Sequence, residues 1–233
     1  METTAEVARL KEVYREYAAC RYGQAKWSNE NPGNLAIQAE REIKMLDALW
    51  SAGFLPLTNR RILDVGCGTG ERLGAFLNWG AKPENLFGID LLPERIRAAE
   101  QMFPQFNFQI GNAESLPYAD GAFDLVAVCT VFTSILNRQM AVNIGGEINR
   151  VLARKGAVLW YDFRVDNPFN KHVRGMTRRN IRSLFPGFGV SLESVSLMPP
   201  LARRLGALTN RLYVPLSSLP FLRTHLLGLL TKS

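Results

Sequence analysis

Two hydrophobic patterns divide this chain near residue 57. From Arg61 onward, short runs of strand-forming residues alternate with segments in which apolar residues recur every three to four positions. Five strands are predicted in this part, near 61–65, 85–90, 106–111, 123–129 and 156–162. Strands and helices that alternate along a chain are typical of a parallel sheet with helices on both faces. The pattern alone therefore predicts an α/β fold.

Only helical periodicity is present before the first strand. Residues 6–20 and 35–51 each carry an apolar face, and residues 21–34 between them are rich in glycine, proline and asparagine, which favour a loop. The apolar face of the first helix consists of Val7, Leu10, Tyr14 and Tyr17. In the second helix the residues expected to point inward are Ile37, Ile43, Leu46 and Trp50. We expect residues 1–56 to form an N-terminal helical cap on a domain made of residues 57–233.

The alternation loosens after residue 162. Residues 164–175 predict a loop, and residues 177–185 predict a short helix. Two further strands are predicted at 189–197 and 224–231. Between them, residues 199–221 are rich in leucine and arginine, with leucines near helical spacing. We expect this stretch to form a basic lid insertion.

The segment Arg61–Glu71, RILDVGCGTGE, joins a short buried strand to a glycine-rich turn that opens a helix. Its three glycines let the backbone turn sharply and approach a ligand closely. The helix that follows directs its free N–H groups toward the turn. Twenty residues after Gly70, Asp90 ends the second strand, a position where a carboxylate commonly holds the ribose hydroxyls of a nucleoside. These features indicate a site for a nucleoside cofactor.

Asp64, two residues before the turn, discriminates between nucleoside cofactors. A nicotinamide site prefers the spacing Gly-x-Gly-x-x-Gly, whereas here the third glycine comes one residue early and Glu71 takes the sixth position. Asp64 would repel a pyrophosphate, but it suits a ligand that carries a cationic amino group. S-adenosylmethionine has such a group, a ribose and an adenine, and it has no phosphate.

With these features the chain resembles the class I S-adenosylmethionine-dependent methyltransferases. Their first motif is similar to Leu63–Gly70, LDVGCGTG, and the segments Gly111–Asp124 and Glu147–Tyr161 are similar to later motifs in the family's order. The resemblance covers roughly residues 57–162. It implies a Rossmann-like, doubly wound sheet of seven strands, mostly parallel with an antiparallel last strand, and S-adenosylmethionine as the cofactor.

The resemblance also implies which residues contact the cofactor. They are Asp64, Gly66, Cys67, Gly68, Gly70, Asp90, Leu91, Asn112, Ala113, Glu114, Cys129 and Thr130. Asp90 would hold the ribose, and Asn112 with Ala113 would contact the adenine. The family usually has aspartate where this chain has Asn112. Because an amide oxygen can still accept from the adenine amino group, we expect an altered affinity rather than a loss of binding.

Candidate catalytic residues follow the fourth and fifth strands, because wound sheets bind ligands outside the carboxyl ends of their strands. Some relatives have a histidine pair after the fourth strand, where this chain has Thr133 and Ser134. The candidates for a general base are therefore Asp162, His172 and His225. The candidate acceptor-side residues are Tyr22, Trp27, Arg41, Thr133 and Ser134. A purely structural role is the alternative for each of them.

Composition and charge indicate the cellular location, the metal requirement and the kind of partner to expect. The three cysteines are scattered, no cluster of residues has metal-ligand spacing, and no apolar run approaches the ~20 residues of a membrane span. We therefore expect a cytoplasmic protein whose activity needs no metal. Residues 163–233 carry 11 basic and 2 acidic residues, whereas residues 1–162 carry 17 and 19. This basic excess indicates either a solvated face or an anionic partner.

These observations predict a methyltransferase that acts on a small molecule, with a hydroxyl of a sugar, glycolipid or secondary metabolite as the preferred acceptor. One alternative is an N-methyltransferase of an amino sugar or small amine. Another, from a different class, is a nucleic-acid methyltransferase or binding protein, which no appended RNA module supports. The basic, leucine-rich insertion favours an amphiphilic or phosphorylated acceptor, or a peripheral contact with a membrane. The sequence leaves the oligomeric state open.

Overall fold

Seven strands form one sheet in the computed structural model, which describes residues 2–19, 28 and 30–232. The strands are β1 Ile62–Val65, β2 Leu86–Asp90, β3 Asn107–Ile110, β4 Phe123–Cys129, β5 Leu152–Phe163, β6 Gly189–Leu197 and β7 Arg223–Thr231. Their order is β3-β2-β1-β4-β5-β7-β6. β1 to β5 pair in parallel, and β7 is antiparallel to both of its neighbours. The predicted doubly wound sheet with an antiparallel last strand is confirmed.

Helices cover both faces of this sheet. They are α1 Glu2–Ala19, α2 Pro32–Ser51, α3 Glu71–Asn78, α4 Pro93–Met102, α5 Arg138–Val151, α6 Arg178–Leu184, α7 Pro199–Arg204 and α8 Thr209–Ser217. Short 3-10 turns lie at Pro83–Asn85, Phe132–Ser134, Gly206–Leu208 and Pro220–Leu222. Along β4, Val126 and Val128 pack on the side of α5 and α6, whereas Leu125 and Ala127 pack on the side of α2 and α3. Such central strands are buried on both faces, which explains their continuous apolar sequence.

The two N-terminal helices lie on opposite faces of the sheet. α1 joins the cluster that contains α5, and α2 joins the opposite cluster through Met45 and Leu49. The inward positions predicted for α2 are wrong for two residues, because Ile43 is 59% exposed and Trp50 is 75% exposed. α2 carries apolar residues on more than one side, so its periodicity indicated a helix without showing which side would pack. The division into a cap and a methyltransferase domain stays a prediction.

Residues 198–222, which we call the insert, connect β6 to β7 through α7 and α8. Gly206 has a φ of +51°, and the helical path changes there, so the leucines predicted on one helix belong to separate short segments. The insert packs on α2. A Cβ at Gly33 would lie 2.1 Å from the carbonyl oxygen of Ala202, so only glycine permits this approach. Within the described residues, no helix is both long and apolar enough to span a bilayer.

Candidate functional site

The glycine turn after β1 crosses the carboxyl edge of the sheet. Gly66, Gly68 and Gly70 have φ values of +71°, +56° and +83°, in the left-handed region that glycine adopts without strain. The backbone N–H of Gly66 donates to the carbonyl of Ile89 at 2.8 Å, which ties the turn to the neighbouring strand. A Cβ at Gly66 would lie 2.8 Å from Cγ2 of Val131. The predicted turn is therefore also a tight contact between the ends of three strands.

Asp90, at the end of β2, binds this turn through its side chain. Its Oδ2 accepts from the N–H of Gly68 at 2.9 Å, and its Oδ1 accepts from the N–H of Leu92 at 2.9 Å. Each carboxylate oxygen has a second lone pair, so both can still accept from a ligand hydroxyl. The side chain is 7% exposed and borders a cavity. Asp90 is thus held in a fixed orientation with acceptor capacity directed at the cavity.

The first cavity, of about 130 Å³, lies at the carboxyl ends of β1, β2 and β4. It brings together many of the predicted cofactor-binding residues, namely Gly66, Asp90, Leu91, Asn112, Ala113, Cys129 and Thr130. Ser134, predicted on the acceptor side, also lines it. β1 and β4 are adjacent although the chain between them visits the other half of the sheet. The cavity therefore lies at the topological switch point, where wound sheets bind their ligands.

A second cavity, of about 290 Å³, adjoins the first across the glycine turn, and Gly66 and Arg95 line both. Its other lining residues are Asp64, Cys67, Gly68, Thr69, Glu71 and Arg72. The two cavities thus divide the predicted cofactor-binding residues into two groups, one around Asp90 and one around Asp64. Gly70 and Glu114 line neither of them.

Asp64 is a buried carboxylate with unused acceptor capacity. It is 1% exposed, and burial raises its pKa to about 6 despite the nearby guanidinium of Arg72. Its Oδ2 lies 3.8 Å from Nε of Arg72, and its Oδ1 has no hydrogen-bond partner among the described residues. A buried acceptor without a partner is costly unless a ligand supplies the donor. This arrangement fits the cationic amino group of S-adenosylmethionine, while Asp90 and the first cavity fit its nucleoside.

Asn112 is held by a local hydrogen-bond network at the edge of the first cavity. Its Oδ1 accepts from the N–H of Glu114 at 3.1 Å, and its Nδ2 donates to Oε2 of Glu114 at 3.1 Å. The other oxygen of Glu114 accepts from Asn143 on α5 at 2.8 Å. The role of Glu114 in the structure is therefore to orient Asn112, whose Oδ1 keeps one lone pair for a ligand.

The carboxylate of Asp162 accepts hydrogen bonds from two backbone N–H groups. Oδ2 accepts from the N–H of Thr133 at 3.0 Å, and Oδ1 accepts from the N–H of Phe163 at 2.8 Å. The residue is 2% exposed, lines neither cavity, and has its pKa raised to about 7 by burial. The geometry therefore gives Asp162 a positioning role, since it fixes the turn that carries Ser134. A direct catalytic role stays a prediction.

The two histidines lie away from both cavities. His225 is buried, and its ring stacks on Tyr161 with centroids 4.6 Å apart and an angle of 6° between the planes. Nδ1 of His225 lies 3.1 Å from Oγ1 of Thr224. Burial lowers the pKa of His225 to about 3, so the imidazole is neutral at physiological pH. His172 lies on the loop after β5, half-buried, with its backbone N–H donating to Asn170.

The acceptor-side candidates are only partly brought together. Tyr22 and Trp27 lie outside the described residues. The Cζ atom of Arg41 lies 5.6 Å from the ring centroid of Tyr161, and its buried Nε has no partner in the described part of the chain. Oγ1 of Thr133 donates to a backbone carbonyl at 2.7 Å, so that residue stabilises the loop. Among the described candidates, Ser134 alone lines a cavity.

Sequence reasoning missed the contribution of α1 to the first cavity. Leu10 and Tyr14 line it, and the hydroxyl of Tyr14 lies 2.9 Å from Oγ of Ser134. The guanidinium of Arg95, from α4, lies over the Tyr14 ring with Cζ 4.5 Å from the centroid. The helical face with Leu10 and Tyr14 was visible in the sequence. What it packs against depends on contacts more than a hundred residues apart, which the pattern does not encode.

A carboxylate on α1 fixes this helix over the cavity. Oε1 of Glu6 accepts from the N–H of Leu136 at 2.6 Å, and Arg9 donates to the carbonyl of Ser134 at 2.6 Å. Glu6 also pairs with Arg9, and that hydrogen bond lowers the pKa of the carboxyl. Glu6 is therefore ionised at neutral pH and holds α1 against the loop after β4.

The chain is similar in sequence to known methyltransferases. Residues 62–156 match a family model described as a methyltransferase domain. The chain is 39% identical over 159 residues to an ajmaline N-methyltransferase from Rauvolfia serpentina, covering 61% of this chain and 51% of that protein. It is 33% identical over 108 residues to a demethylmenaquinone methyltransferase from Thermus thermophilus, covering 45% and 47%. The chain thus spans about half the length of the curated relatives it matches.

A solved structure shares the fold over most of the chain. A putative sarcosine dimethylglycine methyltransferase from Galdieria sulphuraria superposes with a TM-score of 0.62 at 16% sequence identity. The match covers 82% of this chain and 85% of that one. At this identity the likeness establishes the fold, and it leaves the acceptor to be argued from the site.

Proposed function

Because the chain belongs to the class I S-adenosylmethionine-dependent methyltransferases, we propose that it transfers a methyl group from S-adenosylmethionine to a nitrogen of a small amine. One observation carries the choice of nitrogen. Among the described residues that line the two cavities there is no histidine or lysine, and Asp64, Glu71 and Asp90 are the only carboxylates. A neutral amine has its own lone pair, whereas an alcohol hydroxyl needs a base to remove its proton.

The three carboxylates that line the cavities are poorly suited to serve as that base. Asp90 already accepts two backbone hydrogen bonds, and Asp64 is buried beneath the glycine turn. Glu71 is an exposed residue at the start of α3. The hydroxyl acceptor predicted from the sequence therefore has less support than the nitrogen acceptor, which the name of the Rauvolfia serpentina relative also favours.

The residues that would hold the cofactor follow from the two cavities. Asp90 would accept from the ribose hydroxyls, Asn112 from the adenine amino group, and Asp64 from the amino group of the methionyl part. The bound cofactor supplies a methyl group that its sulfonium makes electrophilic. The protein then has to exclude water and align the acceptor with this methyl group, and alignment alone can contribute ~7–11 kcal/mol to the rate. The buried apolar lining of the first cavity supports water exclusion.

A second candidate is a quinone-type acceptor, which the name of the Thermus thermophilus relative favours. Such an acceptor would be amphiphilic, as the leucine-rich insert suggested. Contact of the protein with a membrane is a separate proposal that does not depend on the acceptor. The cytoplasmic location and the absence of a metal requirement stay predictions.

A panel assay tests the proposal. Purified protein is incubated with S-adenosylmethionine and with matched amines, hydroxyl compounds and quinols, and S-adenosylhomocysteine release is measured. We expect turnover with amines, increasing with pH as the ammonium form of the acceptor loses its proton. Turnover of hydroxyl compounds alone would contradict the nitrogen acceptor and leave the cofactor assignment intact. Failure of S-adenosylhomocysteine to bind in calorimetry would overturn the cofactor assignment itself.

A further inference from the structure

We propose that the insert docks on an anionic lipid surface. The proposal is independent of the acceptor, because it concerns residues that line neither cavity. It rests on three features of the insert: a group of exposed apolar side chains, exposed arginines without acidic residues in the same segment, and specific contacts that hold the insert against α2.

Exposed apolar side chains lie on α8 and in the residues that flank it. Thr209, Tyr213 and Ser217 form the buried side of this helix. Leu208 at the start of the helix and Leu212 within it are 52% and 38% exposed, and Leu219, which follows the end of the helix, is 39% exposed. The remaining exposed apolar residues are Val214, at 72%, and Phe221, at 72%. Large apolar groups gathered in one exposed segment mark an interaction surface rather than isolated surface residues.

The positive charge of the insert favours an anionic partner. Residues 198–222 contain three arginines and no aspartate or glutamate. Arg204 and Arg211 are exposed, and neither has an ion pair or hydrogen-bonding side-chain partner in the described part of the chain. Arginine can place its stem along apolar surface while its head reaches anionic groups, as at a membrane interface. An anionic bilayer offers both an apolar layer and a layer of negative charge.

Other occupants fit this surface less well. A second copy of the same surface would offer Arg204 and Arg211 no acidic partner, because residues 198–222 contain no aspartate or glutamate. A nucleic acid would match the arginines, but it would leave the exposed leucines, Val214 and Phe221 without an apolar partner. The lipid surface satisfies both the cations and the apolar side chains.

Hydrogen bonds between the insert and α2 hold the buried side of the insert in place, so its exposed side chains remain in solvent. The hydroxyl of Tyr213 donates to Oε2 of Glu40 at 2.6 Å, and Nε of Arg203 donates to Oδ1 of Asn34 at 2.9 Å. Tyr213 and Ala202 also form a small buried cluster with Leu197 at the end of β6. The insert is therefore anchored from its buried side, so its exposed side is available without unfolding. Among the described residues, Glu40 forms no ion pair with Arg204 or Arg211.

Vesicle co-sedimentation tests the proposal. The full chain is mixed with phosphatidylcholine vesicles that contain phosphatidylglycerol and with vesicles of phosphatidylcholine alone. We expect binding to the anionic vesicles that falls as salt rises from about 0.1 M to about 1 M, since the Debye length shortens from ~10 Å to ~3 Å. Equal binding to both vesicle types, or no binding to anionic vesicles at low salt, would overturn the proposal.

Two double variants separate the contribution of the arginines from that of the exposed apolar side chains. Replacing both exposed arginines, Arg204→Gln with Arg211→Gln, should lower the partition coefficient on anionic vesicles on the order of 25-fold, at about five-fold per cation. Replacing Val214→Ser with Phe221→Ser should also weaken binding and leave its salt dependence unchanged. All four positions are exposed, so the fold should persist, which the thermal transition checks.

Matched controls use exposed residues on other helices. Arg97→Gln with Arg138→Gln removes two exposed cations from α4 and α5, and Val142→Ser removes a side chain that is 43% exposed. These variants should bind vesicles as the parent chain does. If they lose binding equally, the interaction is a general charge effect and the proposal is wrong. The proposal is also wrong if light scattering shows that the insert variants abolish a dimer while vesicle binding is unchanged.

Discussion

Replacement of Asp90 is the most direct test of the nucleoside site. In Asp90→Ala both acceptor oxygens are lost, and with them two charge-assisted hydrogen bonds to the ribose hydroxyls, each contributing roughly 1.5–3 kcal/mol. The affinity for S-adenosylhomocysteine should therefore fall by about 3–6 kcal/mol, or on the order of 10²–10⁴-fold. Isothermal titration calorimetry measures this change directly.

The contacts of Asp90 with the turn add a stability effect that must be separated from binding. The N–H groups of Gly68 and Leu92 lose their 2.9 Å acceptors in Asp90→Ala. Because water from the adjoining cavity can replace part of these bonds, we expect a loss of about 1–3 kcal/mol in unfolding free energy. Asp90→Asn keeps one acceptor oxygen, so its loss of affinity should be roughly half that of the alanine variant. Asp47→Ala, at an exposed position on α2, is the matched control.

The affinity for a second ligand tests whether Asp90 holds the ribose. 5′-Methylthioadenosine has the same ribose but lacks the amino acid part, so its affinity should fall as steeply as that of S-adenosylhomocysteine. An Asp90→Ala protein that remains folded and binds both ligands within about threefold of the parent chain would show that Asp90 does not hold the ribose.

Three further predictions follow from the site. Burial raises the pKa of Asp64 to about 6, so the affinity for S-adenosylhomocysteine should decrease as the pH falls through about 6 and the carboxylate becomes neutral. Asp64→Asn should bind S-adenosylhomocysteine more weakly, and calorimetry should show that its affinity does not change with pH over this range. His225→Phe preserves the stacked packing on Tyr161 and should leave kcat nearly unchanged, while a loss of about 10²-fold or more would identify His225 as a base. Turnover should survive EDTA, and a collapse that magnesium reverses would contradict the prediction that activity needs no metal.

The sequence by itself determined the local structure of the proposed nucleoside site. The strand Ile62–Val65, its glycine turn and Asp90 are specified by short-range rules, because strand propensity, the conformational freedom of glycine and the length of one strand–helix–strand unit are properties of neighbouring residues. The same rules placed the last two strands correctly. These elements were predictable because each depends on a pattern that one segment carries alone.

Tertiary structure alone decided which side chains reach the cavities and in which state of ionisation. Asp162 follows a strand at the expected place, yet backbone N–H groups use both of its oxygens. His225 is kept neutral by burial, and Tyr14 lines the first cavity through packing between distant helices. Desolvation and long-range contacts depend on how layers pack, and periodicity reports only that a face is apolar. For the same reason, only the folded chain shows which side of α2 packs and which apolar residues of the insert are exposed.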